Sequence, residues 1–135
     1  MRVLINNCYG GFGFSNEACI EWCNRQGFAY TTNTDGVPII TINGEDQFVC
    51  YYITRTDPVM LQIFDEKGWS FVSGECAELK VVTIPDGCEY EIGEYDGTEW
   101  IQCMYITATK DELINGLSLE KIQLMVEGCD LKLRE

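Results

Sequence analysis

Histidine is absent from all 135 residues of this chain. Histidine is the commonest general base and zinc ligand, and every Ser–His or Cys–His pair depends on it. No two cysteines have the CxxC spacing typical of zinc sites either. We therefore predict no catalytic residue, no metal ligand and no cofactor. Two carboxylate pairs, Glu89/Glu91 and Glu94/Asp96, keep a carboxylate- or metal-dependent enzyme as an alternative.

Basic residues and long apolar runs are also scarce. Nine lysines and arginines stand against 22 acidic residues, which gives a net charge of −13. Such a surface repels phosphates, so neither direct nucleic-acid binding nor membrane binding is expected. No run approaches the roughly 18 apolar residues that a membrane span needs, and the apolar start at residues 1–7 is too short for a signal peptide. We expect a cytoplasmic protein.

Eight cysteines are the most unusual part of the composition. An even number could form disulfides in an exported chain, and metal binding is the other alternative. Their neighbours favour a third interpretation. Cys50 and Cys88 alternate with apolar residues as inward strand positions do, and Cys19 and Cys23 flank Trp22 on one face of a predicted helix. We predict reduced thiols that fill the core.

The hydrophobic periodicity predicts one α+β domain over residues 1–135, with a mixed or antiparallel sheet and two to four helices. A hairpin is expected at Asn43-Gly44, and a meander from the last three strands. The expected strands cover 2–6, 28–31, 37–42, 47–53, 76–85, 88–95 and 98–106. The expected helices cover 16–26, 58–67, 111–115 and 119–127, with residues 69–75 as an irregular link. The last two helices form a C-terminal extension that could pack on the sheet or on another subunit, giving a homo-oligomer.

The stretch INNCYGGFGFSNEACIEW, residues 5–22, combines a strand, a glycine-rich corner and a helix capped by Ser15. Backbone amides of such a corner can bind a phosphate or carboxylate. The aromatic residues Tyr9 and Phe12 could stack on a planar ligand such as a nucleotide base. The spacing of Gly10, Gly11 and Gly13 matches neither the dinucleotide fingerprint nor the P-loop. A purely structural alternative is that Gly10 and Gly11 adopt positive φ in a tight turn.

Two further features could take part in binding. Arg55 precedes the cap Asp57-Pro58 of a second helix, where a guanidinium and free amides could converge on an anion; pairing with Asp57 or with acidic strands is the alternative. An acidic run without lysine or arginine follows in residues 81–109. It could be a solvated face, or it could bind a basic protein or imitate a nucleic-acid backbone. Its members are Asp86, Glu89, Glu91, Glu94, Asp96 and Glu99.

Three segments together resemble an uncharacterised family of small proteins from bacteriophages, bacteria and large DNA viruses. They are VLINNCYGGFGFS at 3–15, RTDP at 55–58 and CAELKVVTIPDGCEYEIGEYDGTEWI at 76–101. The resemblance covers roughly residues 2–102, whereas residues 103–135 would be a strand end and a helical extension that typical members lack. No established activity comes with the family. The motifs fall on Asn6, Cys8, Tyr9, Gly10, Gly11, Gly13, Ser15, Arg55, Asp57, Pro58, Tyr95, Asp96, Gly97 and Trp100.

The resemblance implies a phage-type setting, in which a binder could blunt host defence. The leading hypothesis is a non-catalytic protein that sequesters a small anionic or nucleotide-derived ligand. The alternative is an acidic inhibitor that blocks a basic host protein through the acidic run. The predicted ligand site consists of Asn6, Tyr9, Gly10, Gly11, Phe12, Gly13, Ser15, Arg55 and Asp57.

Overall fold

The computed structural model describes residues 1–85, 88–126 and 130–133. Eight strands and six helices lie in these residues, which confirms the α+β class. The strands are β1 (Arg2–Asn6), β2 (Thr31–Thr32), β3 (Pro38–Ile42), β4 (Glu45–Phe48), β5 (Leu79–Thr83), β6 (Cys88–Tyr95), β7 (Thr98–Ala108) and β8 (Asp130–Leu133). The helices are α1 (Asn16–Gln26), α2 (Val49–Tyr52), α3 (Pro58–Lys67), α4 (Trp69–Val72), α5 (Lys110–Asn115) and α6 (Leu119–Val126).

The predicted helix ends are confirmed, because their capping groups make the expected bonds. Ser15 accepts a hydrogen bond from the third amide of α1, and Gly27 ends that helix in the left-handed conformation. Asp57 caps α3 with proline at the first helical position. Thr109 and Glu112 form a capping box at the start of α5. Local chemistry was sufficient here, since each cap involves residues within one turn of the chain.

The strands form three small sheets, and the predicted meander is wrong. β5 pairs antiparallel with β1, whereas β6 pairs with β7 and β8 adds to β7 in parallel. The third sheet is β2–β3–β4, whose β3–β4 turn is the predicted Asn43-Gly44 hairpin with φ of +53° and +80°. β5 leaves the expected meander because β1 is apolar on both faces and needs a strand partner. No periodicity within β5 identifies that partner.

Several element boundaries also differ from the expectation. The second hairpin strand stops at Phe48, and the remaining residues form α2, where Val49 is fully buried. Residues 69–72 form α4, a short helix that directly follows α3, rather than an irregular link. β2 is confined to Thr31–Thr32, β5 begins only at Leu79, and β8 was not predicted. The described helices therefore exceed the expected two to four, the extra ones being single turns too short for a period to be seen.

The β1–β5 ribbon is the centre of the molecule. One face, represented by Leu4, packs on the main core of α1, α3 and α4, in which Trp22 and Ile63 are buried. The opposite face, Val3 and Ile5, packs with Ile84 against residues of β6 and β7. Within the described residues, no helix combines the length and the hydropathy needed to cross a membrane.

Candidate functional site

The glycine corner between β1 and α1 uses several of its backbone amides for hydrogen bonds within the protein. The amide of Gly10 donates to the Cys8 carbonyl at 3.0 Å, and that of Gly11 donates to the Cys76 carbonyl at 2.9 Å. The amide of Ser15 donates to the Val72 carbonyl at 2.9 Å, and the Ser15 hydroxyl donates to the Phe71 carbonyl at 2.6 Å. The donors that an anion would need are thus already engaged at these positions.

The glycines of this corner have a different role from the one expected. Gly10 and Gly11 do not have positive φ, so that interpretation is wrong. A Cβ at Gly10 would lie 2.0 Å from the Cys76 carbonyl oxygen, whereas none would be obstructed at Gly11 or Gly13. A Cβ at Gly97, whose φ is +92°, would lie 2.0 Å from the Gly10 carbonyl oxygen. The corner therefore touches the β6–β7 turn backbone to backbone.

Arg55 forms a bidentate ion pair with Glu99. Its two terminal nitrogens lie 2.6 and 2.8 Å from the carboxylate oxygens, and one of them donates to the Leu4 carbonyl at 3.4 Å. The guanidinium carbon stands 3.7 Å above the centre of the Phe12 ring. The Glu99 side chain is only 8% exposed and that of Arg55 is 29% exposed. Arg55 therefore pairs with an acidic strand, which was the alternative to anion binding.

Asn6 links the same cluster to both neighbouring segments. Its side chain is fully buried, and its amide nitrogen donates to the carbonyls of Gly97 at 2.8 Å and Cys8 at 3.1 Å. Its side-chain oxygen accepts from the Glu78 amide at 2.9 Å, and its own backbone amide donates to Glu99 at 2.8 Å. The three segments that carry the family resemblance therefore meet around Asn6, Arg55 and Glu99. These residues stabilise the fold.

The remaining predicted ligand residues are divided between structural and exposed positions. Asp57 accepts from the Met60 amide at 2.8 Å and from the Trp22 indole at 2.9 Å, which accounts for its role as a cap. Tyr9 is 77% exposed. An open cleft of about 550 Å³ lies beside the start of α1. Ser15 and two carboxylates, Glu17 and Glu75, contribute to its lining, so this cleft is negatively charged.

The predicted acidic run is split by the pleat of the β6–β7 hairpin. Asp86 lies outside the described residues, and Glu99 points inward to Arg55. Glu89 and Glu91 are exposed at alternate positions of β6 and so share its outer face. At the turn, Glu94 accepts from the Gly97 amide at 2.5 Å, and Asp96 is exposed with φ of +50°.

Two aromatic residues on this outer face were not among the predicted site residues. Trp100 is paired with Gly93, and its indole covers that glycine so closely that a Cβ there would lie 2.3 Å from the ring. Trp100 is 46% exposed and Tyr95 is 72% exposed. Both residues belong to the motifs of the family resemblance, but the sequence did not identify Trp100 as the cross-strand neighbour of Gly93. The outer face therefore combines aromatic rings with carboxylates.

The described thiols of Cys8, Cys19, Cys23, Cys50 and Cys76 are not in disulfides. Cys19, Cys23 and Cys88 are buried, as predicted for core cysteines. Cys50 is only half-buried and lies in helix α2 rather than at an inward strand position, and Cys76 is exposed. Burial, with neighbouring Cys50, Cys23 and Glu17 adding to it, raises the pKa of the Cys19 thiol to about 12. In the described part of the chain, no three cysteine or carboxylate side chains come together as a metal site would require.

The family resemblance inferred from the motifs stays a prediction, because comparison with protein-family models, with curated proteins and with solved structures found no match to this chain.

Proposed function

We propose that the chain is a non-catalytic binding protein whose partner is a protein with a basic surface. The proposed contact surface is the outer face of the β6–β7 hairpin, defined as Glu89, Glu91, Tyr95 and Trp100. The observation that carries this proposal is the half-exposed indole of Trp100 lying over Gly93, on the same face as exposed carboxylates. Exposed aromatic residues of this kind are typical of interface hot spots.

The chemistry of this outer face suits arginine and lysine. A cation over a tryptophan ring gains about 0.5–2 kcal/mol, depending on how far it is desolvated. An adjacent carboxylate adds a charge-assisted hydrogen bond, and arginine can form two such bonds at once. The net charge of −13 would also steer a basic partner toward the protein, an effect that weakens with salt because the Debye length is only about 8 Å at physiological ionic strength.

The small anionic or nucleotide-derived ligand ranks second. Arg55, its expected cation, is bonded to Glu99, and the corner amides of Gly10 and Gly11 are bonded internally. The cleft beside Ser15 offers space for a small molecule, but Glu17 and Glu75 would repel an anion there. The phage-type setting implied by the family resemblance would make the basic partner a host protein of the cytoplasm and the function counter-defence.

Binding of an arginine-rich peptide tests the proposal, with the same peptide carrying citrulline for arginine as the uncharged ligand. We expect calorimetry to detect binding of the arginine peptide but not of the citrulline peptide. The affinity for the arginine peptide should fall at least tenfold between about 50 mM and 300 mM salt. Trp100→Ala and the double variant Glu89→Gln/Glu91→Gln should each weaken binding about tenfold.

The matched control removes the same charge elsewhere. Asp35 and Glu45 are exposed on either side of the β3 strand. Asp35→Asn/Glu45→Gln should change the affinity less than threefold, because salt screens charges that lie far from the contact surface. Circular dichroism verifies that each variant is folded. Equal losses in both double variants would mean that only net charge matters, and equal binding of the citrulline peptide would contradict the proposal outright.

Self-association through the C-terminal extension is a third candidate, favoured by the orientation of α6. Its Lys121 is 8% exposed and donates to the Thr107 carbonyl at 2.8 Å and to Glu112 at 2.6 Å. Leu119 of the same helix is 82% exposed, and Ile114 of α5 is 78% exposed. If these apolar side chains meet a second copy, light scattering will give a dimer mass that Leu119→Gln/Ile114→Gln converts to a monomer. A monomeric parent protein at high concentration would exclude it.

A further inference from the structure

Five of the described thiols fall into two environments. Cys19, Cys23 and Cys50 lie together around α1 and α2, where burial raises the pKa of each thiol and keeps it protonated. Cys8 is half-buried and Cys76 is exposed, so these two are open to a solution reagent. The reactive thiols are therefore expected outside the core.

Cys8 and Cys76 are 68 positions apart in sequence but adjacent in the structure. The β1–β5 ladder continues past its last paired residues, because the Asn7 amide donates to the Glu78 carbonyl at 2.8 Å. One residue after Asn7 and two residues before Glu78, the Cys8 thiol lies 3.4 Å from the Cys76 carbonyl oxygen. Gly10 packs against both residues, because a Cβ at Gly10 would stand 3.5 Å from the Cys8 sulfur and 2.0 Å from the Cys76 carbonyl oxygen.

We propose that Cys8 and Cys76 form a reversible disulfide by exchange with a small-molecule disulfide such as oxidised glutathione. The exposed Cys76 thiolate attacks one glutathione sulfur, the glutathione S–S bond breaks, and one glutathione thiolate leaves and takes up a proton. The Cys8 thiolate then attacks the Cys76 sulfur of the mixed disulfide, and the second glutathione leaves in the same way. Two protein thiols are oxidised and one glutathione disulfide is reduced, so atoms and electrons balance.

The bond would fix the corner that carries Tyr9 to the segment that precedes β5. In a reducing cytoplasm it would form only under oxidative conditions, as is usual for intracellular disulfides. A bridge that closes a ring of roughly 70 residues restricts the unfolded chain, so we expect the oxidised protein to melt about 5–15 °C above the reduced one. This inference does not depend on the proposed partner.

The experiment incubates the full chain with oxidised glutathione, blocks the remaining thiols with iodoacetamide and measures the intact mass. We expect two fewer alkyl groups than in the reduced protein. Digestion with trypsin and a glutamate-specific protease locates the bond, since cleavage after Glu17 separates Cys8 from Cys19, and cleavage after Glu75 isolates Cys76. The expected cross-link joins these two peptides, and dithiothreitol should reverse it.

The matched variants are Cys76→Ser and Cys50→Ser. Cys76→Ser should abolish both the cross-link and the rise in melting temperature, whereas Cys50→Ser, in the thiol group around α1 and α2, should retain both. The proposal is overturned if iodoacetamide still alkylates Cys8 and Cys76 after the incubation with oxidised glutathione. It is also overturned if the mixed disulfide of Cys76 with glutathione persists, or if the mapped cross-link joins other cysteines.

Discussion

Removing the Glu99 carboxylate should destabilise the protein far more than removing an exposed carboxylate. Glu99→Ala leaves the Arg55 guanidinium without its two bonds of 2.6 and 2.8 Å and leaves the Asn6 amide without its acceptor. Breaking a buried ion pair costs about 3–5 kcal/mol. Since the Arg55 side chain keeps 29% exposure and water can partly replace the carboxylate, we expect the lower end, about 3 kcal/mol.

The matched control is the Arg2–Asp65 pair, which is also bidentate but has side chains 39% and 51% exposed. Exposed pairs contribute about 0–1 kcal/mol, so Asp65→Ala should have little effect. Urea unfolding followed by tryptophan fluorescence measures both variants. With a slope near 1.5 kcal/mol per M, Glu99→Ala should lower the midpoint by about 2 M and Asp65→Ala by less than about 0.7 M.

A double variant separates the lost attraction from the buried charge that is left behind. In Arg55→Met/Glu99→Leu neither charge remains, so at least half of the lost stability should return. The reasoning is refuted if Glu99→Ala and Asp65→Ala differ by less than about 1 kcal/mol. In that case, the three segments that meet at Asn6 would be held by packing rather than by the ion pair.

Three further outcomes are expected. Gly10→Ala should cost about 2 kcal/mol or more in urea unfolding, because the new Cβ would lie 2.0 Å from a backbone oxygen, whereas Gly11→Ala has open space and should cost less than about 0.5 kcal/mol. The hydrogen bond from Lys121 holds the pKa of the Glu112 carboxyl below its usual value. The stability that this bond contributes is therefore fully present above the pKa of Glu112 in the unfolded chain and is lost as the pH falls through its pKa in the folded protein. In Lys121→Gln, carboxyl NMR should show the pKa of Glu112 rising toward its usual value. The Cys19 thiol, with a pKa of about 12, should resist iodoacetamide at pH 8 until the protein is unfolded, and rapid labelling in the folded state would contradict its burial.

Some features of the candidate surface could be predicted from sequence, and others could not. Alternation of polar and apolar residues along β6 indicates that Glu89 and Glu91 share an exposed face, since the side-chain period of a strand is two. The same period places Glu99 on one face of β7 but does not tell which face is buried. Trp100 covers Gly93 only because the register of β6 on β7 pairs these two residues.

The sequence by itself determined the helix caps, the Asn43-Gly44 hairpin and the charge. Each depends on residues within a few positions of one another or on composition alone. Only the tertiary structure decided that β5 pairs with β1, that Arg55 is bonded to Glu99, and that Gly10 is required by the Cys76 carbonyl. The physical reason is that these contacts join residues 44 to 81 positions apart or depend on strand register. Hydrophobic burial, rather than local conformational preference, selects them.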